Sequence, residues 1–157
     1  MEIQSLSVDD TKRFGEQLGN LLSGGEVVEL IGDIGAGKTT LVKGLAVGMG
    51  IDEDVQSPTF TISRRYDTPS KKQLAHYDFY RLSDPGIMKM EIAETLHSED
   101  TVTVIEWGDV VSSVLPTDKL TIRLQAIADN QDDRSLHISA SGEKSTKILE
   151  RLHAATP

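Results

Sequence analysis

Residues 32–39 contain the residue types that bind phosphate groups, at the spacing that such binding requires. Their sequence, Gly-Asp-Ile-Gly-Ala-Gly-Lys-Thr, has two glycines separated by four residues and followed by Lys and Thr. Glycines allow successive backbone N–H groups to point at one anion, and a helix that starts after them adds partial positive charge. Lys38 can then reach the β- and γ-phosphates of a nucleotide, and the Thr39 hydroxyl can bind Mg²⁺. The pattern predicts a phosphate-binding loop, with a glycine-rich turn and a surface lysine as the ordinary alternative.

Two carboxylates are candidates for holding Mg²⁺ or its waters and for orienting the attacking water. Glu106 ends the apolar segment 102–105, where a Walker-B acid belongs. Asp78 lies in the polar and aromatic segment His-Tyr-Asp-Phe-Tyr-Arg, residues 76–81. Their ordinary alternatives are a strand-end carboxylate and a solvated hairpin residue. His76 is equally consistent with a packed strand histidine and with a catalytic one.

The sequence favours ATP as the nucleotide. Guanine-specific sites usually carry an Asn/Thr-Lys-x-Asp motif late in the chain, and none occurs in this sequence. Arg64, Arg65 and Arg81 fall in a predicted hairpin. No arginine is therefore in an obvious position to neutralise charge on a γ-phosphate, and a solvated face is the simplest interpretation of the three.

The composition excludes several other kinds of chemistry. The 157 residues include 16 Lys and Arg against 25 Asp and Glu, a net charge of −9, which argues against binding nucleic acid through a broad basic surface. The absence of cysteine excludes disulfides, thiol nucleophiles and cysteine-ligated metals. Residues 1–4 carry no basic-then-apolar signal, and no apolar run approaches the length of a membrane span. We expect a soluble, acidic, cytoplasmic protein in which residues 1–157 form one domain.

Hydrophobic periodicity predicts the elements that position these residues. Residues 27–31 and 101–107 have the pattern of buried strands, and residues 38–49 that of a helix. The other predicted elements are a helix from Ser7 to Gly24, strands at 59–66 (with Phe60 and Ile62 inward), 73–80, 120–128 and 135–141, a short helix from Pro85, and a helix at 144–153. Interleaved strands and helices indicate an α/β fold. We expect a three-layer fold of the P-loop NTPase type, with a mainly parallel central sheet and antiparallel strands at its margins.

Four segments taken together resemble the bacterial TsaE (YjeE) family. They are residues 32–41 (Gly-Asp-Ile-Gly-Ala-Gly-Lys-Thr-Thr-Leu), 57–62 (Ser-Pro-Thr-Phe-Thr-Ile), 76–82 (His-Tyr-Asp-Phe-Tyr-Arg-Leu) and 105–107 (Ile-Glu-Trp). The resemblance extends over about residues 5–143. It implies an Mg-dependent ATPase that is needed to form threonylcarbamoyladenosine at position 37, next to the anticodon of tRNAs that read ANN codons. In that family the ATPase works with the TsaD–TsaB pair, which performs the transfer, so that tRNA is reached only through the complex.

The resemblance also assigns roles to individual residues. Lys38, Glu106 and Asp78 match functional residues of the family, and Thr39 matches its magnesium-binding threonine, with Glu106 as the strand-end acid at the metal. Thr11 and Arg134 match positions that lie near the nucleotide. The full set implied to bind ATP is Gly32, Gly35, Ala36, Gly37, Lys38, Thr39, Thr40, Thr11 and Arg134.

Two other functions fit the same loop, because a fold alone does not define an activity. One is a kinase for a small molecule, which usually needs an arginine-bearing lid, and no such segment occurs between Glu106 and the C-terminus. The acidic segment 52–54 is better interpreted as a solvated turn than as an acceptor site. The other is a nucleotide-gated binding module with negligible turnover. We expect hydrolysis by the lone chain to be slow.

Overall fold

The computed structural model describes residues 1–156 of the chain. The elements are, in order, β1 (Glu2–Ser5), α1 (Val8–Gly19), β2 (Val27–Ile31), α2 (Lys38–Gly48), β3 (Ser63–Asp67), β4 (Gln73–Asp78), α3 (Met88–Leu96), β5 (Thr101–Glu106), a short 3₁₀ helix (Gly108–Val111), β6 (Leu120–Ala126), β7 (Arg134–Ala140) and α4 (Glu143–Ala155). Within these residues no helix is both long enough and apolar enough to cross a membrane.

The strands of residues 1–156 form one seven-stranded sheet in the order β1-β7-β6-β2-β5-β4-β3. At its centre, β2 pairs in parallel with both β5 and β6, and β4 pairs in parallel with β5. Towards the edges, β1 with β7, β6 with β7, and β3 with β4 pair antiparallel. The predicted α/β class, with a mainly parallel centre and antiparallel margins, is confirmed.

Two apolar clusters cover the two faces of the sheet. The larger one contains residues of α1, α2 and α4, among them Leu18, Leu45 and Leu152. The smaller one joins α3 and the 3₁₀ helix to β4 and β5, through Ile92 and Val111 among others. Every residue of β5 is buried, as expected for a parallel strand covered on both faces. The sheet thus lies between two helical layers, which hold its centre rigidly.

Helices α1 and α2 approach each other closely through glycines. A Cβ atom at Gly44 of α2 would lie 2.1 Å from the carbonyl oxygen of Lys12, and one at Gly19 of α1 would lie 2.1 Å from that of Leu45. No real Cβ atom fits at these distances, so only glycine permits the contact. The close approach fixes α2, and with it the loop that precedes α2.

The first helix begins as its sequence predicts, since the Ser7 side chain accepts a hydrogen bond of 3.0 Å from the Asp10 N–H. The predicted strand at 59–66 is wrong over residues 59–62, and Phe60 does not point inward, whereas Ile62 is partly buried against the smaller cluster as expected. The strand begins at Ser63, Phe60 is 82% exposed, and Ile62 has a φ of +69°. The segment 57–62 is instead a turn that leads into β3. Sequence reasoning also missed β1, which pairs with β7 at the edge.

Candidate functional site

The glycine-rich loop connects the end of β2 to the start of α2, at the carboxyl edge of the parallel strands. Gly35 and Gly37 have φ angles of +81° and +101°, a backbone region that side chains disfavour. No side chain caps the N-terminus of α2, so no capping group competes with a ligand for the first N–H groups of the helix. The loop therefore has the backbone of an anion-binding turn at a helix N-terminus.

Lys38 is buried inside this loop. Its ammonium donates hydrogen bonds to the carbonyl oxygens of Gly32 and Asp33, the latter at 2.9 Å. The ammonium also lies 5.1 Å from the ring centroid of Trp107. Burial lowers the pKa of Lys38, and the nearby carboxylates of Glu106, Asp78 and Asp33 oppose that shift. The loop thus holds a desolvated cation beside two acidic side chains of neighbouring strands.

Asp78 and Glu106 end two adjacent parallel strands and are paired directly across the ladder between β4 and β5. Both carboxylates are buried. The Asp78 carboxylate accepts hydrogen bonds of 2.9 Å from the Thr59 hydroxyl and from the Tyr80 N–H. One Glu106 oxygen lies 2.8 Å from Nε2 of His76. The structure therefore fixes the orientation of both carboxylates through polar contacts.

The loop and the carboxylates face one cleft of about 460 Å³. It is lined by the loop residues Lys38, Thr39 and Thr40, the carboxylates Asp78 and Glu106, and the side chains of Phe60, Tyr80, Arg81 and Trp107. A larger cleft of about 540 Å³ lies along the other side of the loop, lined by Glu29, Asp33 and Arg123 among others. The larger cleft includes none of Lys38, Thr39, Asp78 and Glu106. The smaller cleft is therefore the candidate site.

Arg134 contacts the loop and Thr11 lies beside it, and neither residue lines the smaller cleft. Arg134 donates hydrogen bonds from Nε to the Ala36 carbonyl at 3.0 Å and from Nη2 to the Gly35 carbonyl at 3.2 Å. The Thr11 hydroxyl is buried and bonds to Ser5 at 2.7 Å. A Cβ atom at Gly37 would lie 3.9 Å from the Thr11 methyl and 4.0 Å from Arg134 Nε. Arg134 thus braces the loop backbone, and both residues lie beside its final glycine.

The prediction that places Arg81 in a hairpin is wrong, because β4 ends at Asp78 and Arg81 follows in a turn. Its guanidinium carbon lies 4.4 Å from the ring centroid of Phe60, a cation–π contact at the rim of the cleft. Arg65 instead bonds to Thr95 of α3 at 2.7 Å and ties β3 to that helix. Of the three arginines considered from the sequence, Arg81 alone lines the cleft.

Thr59 and His76 are the residues around the carboxylates whose contacts the sequence did not predict. A usable signal existed for His76, because a single residue separates it from Asp78 along a strand and alternate residues share a face. The contact of Thr59 carries no such signal, since it depends on the turn at 57–62. Trp107, directly after Glu106, has a φ of +57°, which turns the chain sharply away from β5.

These features define an α/β protein with a fold of the P-loop NTPase type. Its glycine-rich loop lies at the carboxyl edge of the central parallel strands. The family model described as "Threonylcarbamoyl adenosine biosynthesis protein TsaE" matches residues 5–136. The chain belongs to the TsaE family.

Individual relatives agree with this assignment. The chain is 43% identical over 130 residues to the tRNA threonylcarbamoyladenosine biosynthesis protein TsaE of Treponema pallidum, covering 82% of this chain and 94% of the relative. It is 33% identical over 149 residues to the protein of the same name from Bacillus subtilis, covering 95% and 91%. The crystal structure of Bacillus subtilis YdiB superimposes with a TM-score of 0.83 at 30% identity, over 100% of this chain and 96% of that one. The resemblance stated from the four segments is confirmed.

Proposed function

We propose that this chain is a magnesium-dependent ATPase that supports threonylcarbamoyladenosine formation at position 37 of tRNAs reading ANN codons, together with the TsaD–TsaB complex. The observation that carries the proposal is the meeting of Lys38, Thr39, Asp78 and Glu106 in one cleft. Phosphoryl transfer depends mainly on positioning and on electrostatic stabilisation, and these four side chains supply a cation, a hydroxyl and two carboxylates for it.

The donor set fits Mg²⁺. This ion prefers oxygen ligands, keeps several waters and usually takes only one or two carboxylates besides phosphate oxygens. The structure groups no three acidic, histidine or cysteine side chains into a metal cluster within residues 1–156, and a magnesium–nucleotide site does not require one. Thr39 and Glu106 would hold the ion, with Asp78 beside them. When bound, Mg²⁺ neutralises charge on the phosphate oxygens.

The chain's own residues have separate tasks in this proposal. Lys38 exchanges its contacts with loop carbonyls for the β- and γ-phosphates of ATP. Glu106, held by its buried hydrogen bond, orients the water that attacks the γ-phosphate. Arg134 keeps the loop in its phosphate-binding conformation through two backbone carbonyls. Binding is therefore assigned mainly to the loop, and hydrolysis mainly to the ends of β4 and β5.

Partners complete the proposed activity. A net charge of −9 disfavours direct binding of tRNA, because such binding depends on clustered Lys and Arg. Arg81 lines the cleft but rests on the exposed Phe60 ring. An arginine supplied at the γ-phosphate raises turnover by about 10³–10⁵ in other systems. We expect slow hydrolysis by the lone chain and faster hydrolysis in the complex, in the cytoplasm where tRNA is modified.

The test follows the γ-phosphate. Purified chain is incubated with Mg-ATP labelled at the γ-position, first alone and then with TsaD, TsaB and tRNA, while tRNA modification is measured over several cycles. We expect slow release of phosphate to water alone, stimulation by the partners, and repeated modification only when the chain is present. Transfer of label to a small acceptor would favour the kinase alternative. Binding of ATP with no hydrolysis under any condition would favour the binding module.

A further inference from the structure

The side chain of His76 is completely buried, and it contacts the Glu106 carboxylate from the side away from the cleft. It belongs to β4, two residues before Asp78, so the alternation of the strand places both side chains on one face of the sheet. The parallel register pairs His76 with Val104 and Asp78 with Glu106 on β5. His76 therefore reaches Glu106 from one step deeper in the sheet, where its Nε2 lies 2.8 Å from Oε2 of the carboxylate.

The other ring nitrogen of His76 indicates the direction of this hydrogen bond. Nδ1 is buried and has no hydrogen-bond partner among the described residues. A proton on Nδ1 would be a buried donor without an acceptor, which is costly. With the proton on Nε2, the ring donates to Glu106 and no N–H group is left unpaired. The surroundings thus select one tautomer and one donor.

We propose that His76 is a positioning residue that holds Glu106 in its working orientation. Its hydrogen bond fixes Oε2 and leaves the second carboxylate oxygen available in the cleft that Glu106 lines. Backbone hydrogen bonds support the two strands that carry the pair, since the ladder of β4 and β5 continues to the Phe79 N–H, which donates to the Glu106 carbonyl at 3.1 Å. Buried partners that orient functional side chains act through such contacts. The kinetic part of this inference rests on the proposed ATPase function.

The kinetic test compares His76→Leu, which removes the donor at similar volume, with His76→Gln, which keeps an amide donor. We expect His76→Leu to lower kcat for ATP by about tenfold to a hundredfold, with Mg-ADP affinity changed less than about twofold. His76→Gln should restore most of the turnover. In a Glu106→Gln background, where turnover is already low, adding His76→Leu should cause no further loss in single-turnover measurements.

A matched control is Thr103→Val on β5. Thr103 is buried and, like His76, has a polar atom with no partner among the described residues. It makes no contact with Glu106 in the hydrogen-bond network. This variant should keep wild-type turnover. Wild-type kcat in His76→Leu would overturn the proposal, and so would an equal fold-loss from His76→Leu with Glu106 present or replaced.

A spectroscopic readout keeps the inference separate from the ATPase proposal. Long-range ¹⁵N–¹H correlation spectra of the nucleotide-free protein report which ring nitrogen carries the proton, and the His76→Gln spectrum assigns the signal among the four histidines. We expect an Nε2–H resonance that shifts in Glu106→Gln. A proton on Nδ1, or no shift, would overturn the positioning role. If no ATPase is found under any condition, the proposed function fails while this spectrum still decides the His76–Glu106 pair.

Discussion

The two halves of the cleft are built in different ways. The loop half, between β2 and α2, is continuous in sequence, and its conformation follows from local rules for glycines and helix starts. The other half, the assembled half, consists of separate segments. They are the ends of β4 and β5 and the turn at 57–62. Glu106 is oriented by His76 of the neighbouring strand, and Asp78 by the Thr59 hydroxyl of the turn together with the nearby Tyr80 N–H. In the proposed function, binding of phosphate therefore depends on local structure, and hydrolysis depends on tertiary structure.

The largest expected effect comes from breaking the loop half. Lys38→Ala removes the buried cation that lies at the loop carbonyls, so ATP turnover should fall by about a hundredfold or more. Thr39→Ala should act mainly by raising the Mg²⁺ concentration needed for turnover. Phosphate release from labelled ATP measures both. Wild-type turnover in Lys38→Ala would show that the loop does not bind the reacting phosphates.

A different kinetic pattern is expected when the assembled half is broken. Glu106→Gln should lower kcat by about tenfold to a hundredfold while nucleotide affinity changes little, because its proposed work is on the metal and the attacking water. Asp78→Asn is the parallel test for the second carboxylate. Steady-state kinetics together with equilibrium dialysis of Mg-ADP separate the two quantities. Equal losses of kcat and affinity would place Glu106 in binding rather than in hydrolysis.

The packing of α1 against α2, which supports the loop half, can be disrupted without changing a residue that lines the cleft. Gly44→Ala places a Cβ atom 2.1 Å from the Lys12 carbonyl, so α1 and α2 must separate. The free energy of unfolding should fall by about 2 kcal/mol or more, as for other overpacked cores. The control is Gly86→Ala, where a Cβ atom meets nothing within 4 Å although φ is +48°. Urea denaturation measures the free energy of unfolding of both variants. A similar decrease in the two would contradict the close packing of α1 and α2.

The same contrast explains what the sequence could predict. The Ser7 cap, the loop and its flanking elements follow from patterns within a few residues of one another. The parallel centre follows from the alternation of strands and helices along the chain. The alternation of Phe60 and Ile62 predicts a strand from residue 59, but residues 59–62 form a turn in which Phe60 is 82% exposed. The turn is closed by a local hydrogen bond from the Ile62 N–H to the Pro58 carbonyl, and it is also joined to a separate segment by one of 2.9 Å from the Asp78 N–H to the Ile62 carbonyl. Such contacts between separate segments leave no local pattern.

A smaller effect is expected at the rim of the assembled half. Arg81→Ala removes a cation that lines the cleft but rests on Phe60. Turnover with the TsaD–TsaB complex should fall by less than in Glu106→Gln, by about tenfold at most if the partner supplies the main γ-phosphate cation. Stimulated phosphate release in the two variants provides the comparison. A larger loss than in Glu106→Gln would assign the decisive cation to this chain.

The smallest expected signal is optical, and it connects the two halves. Trp107 is the single tryptophan of the sequence, it follows Glu106, and its ring lies 5.1 Å from the Lys38 ammonium and 5.0 Å from the Tyr80 ring. If Lys38 turns towards phosphate when Mg-nucleotide binds, the charge over the indole moves and the emission of Trp107 should change by a few tens of per cent at most. Titration with Mg-ADP measures the change, and Lys38→Ala, which has no ammonium to move, should reduce it. A flat titration, with binding confirmed by dialysis, would mean that nucleotide in the loop does not alter the surroundings of Trp107, and the two halves would then respond to the ligand independently.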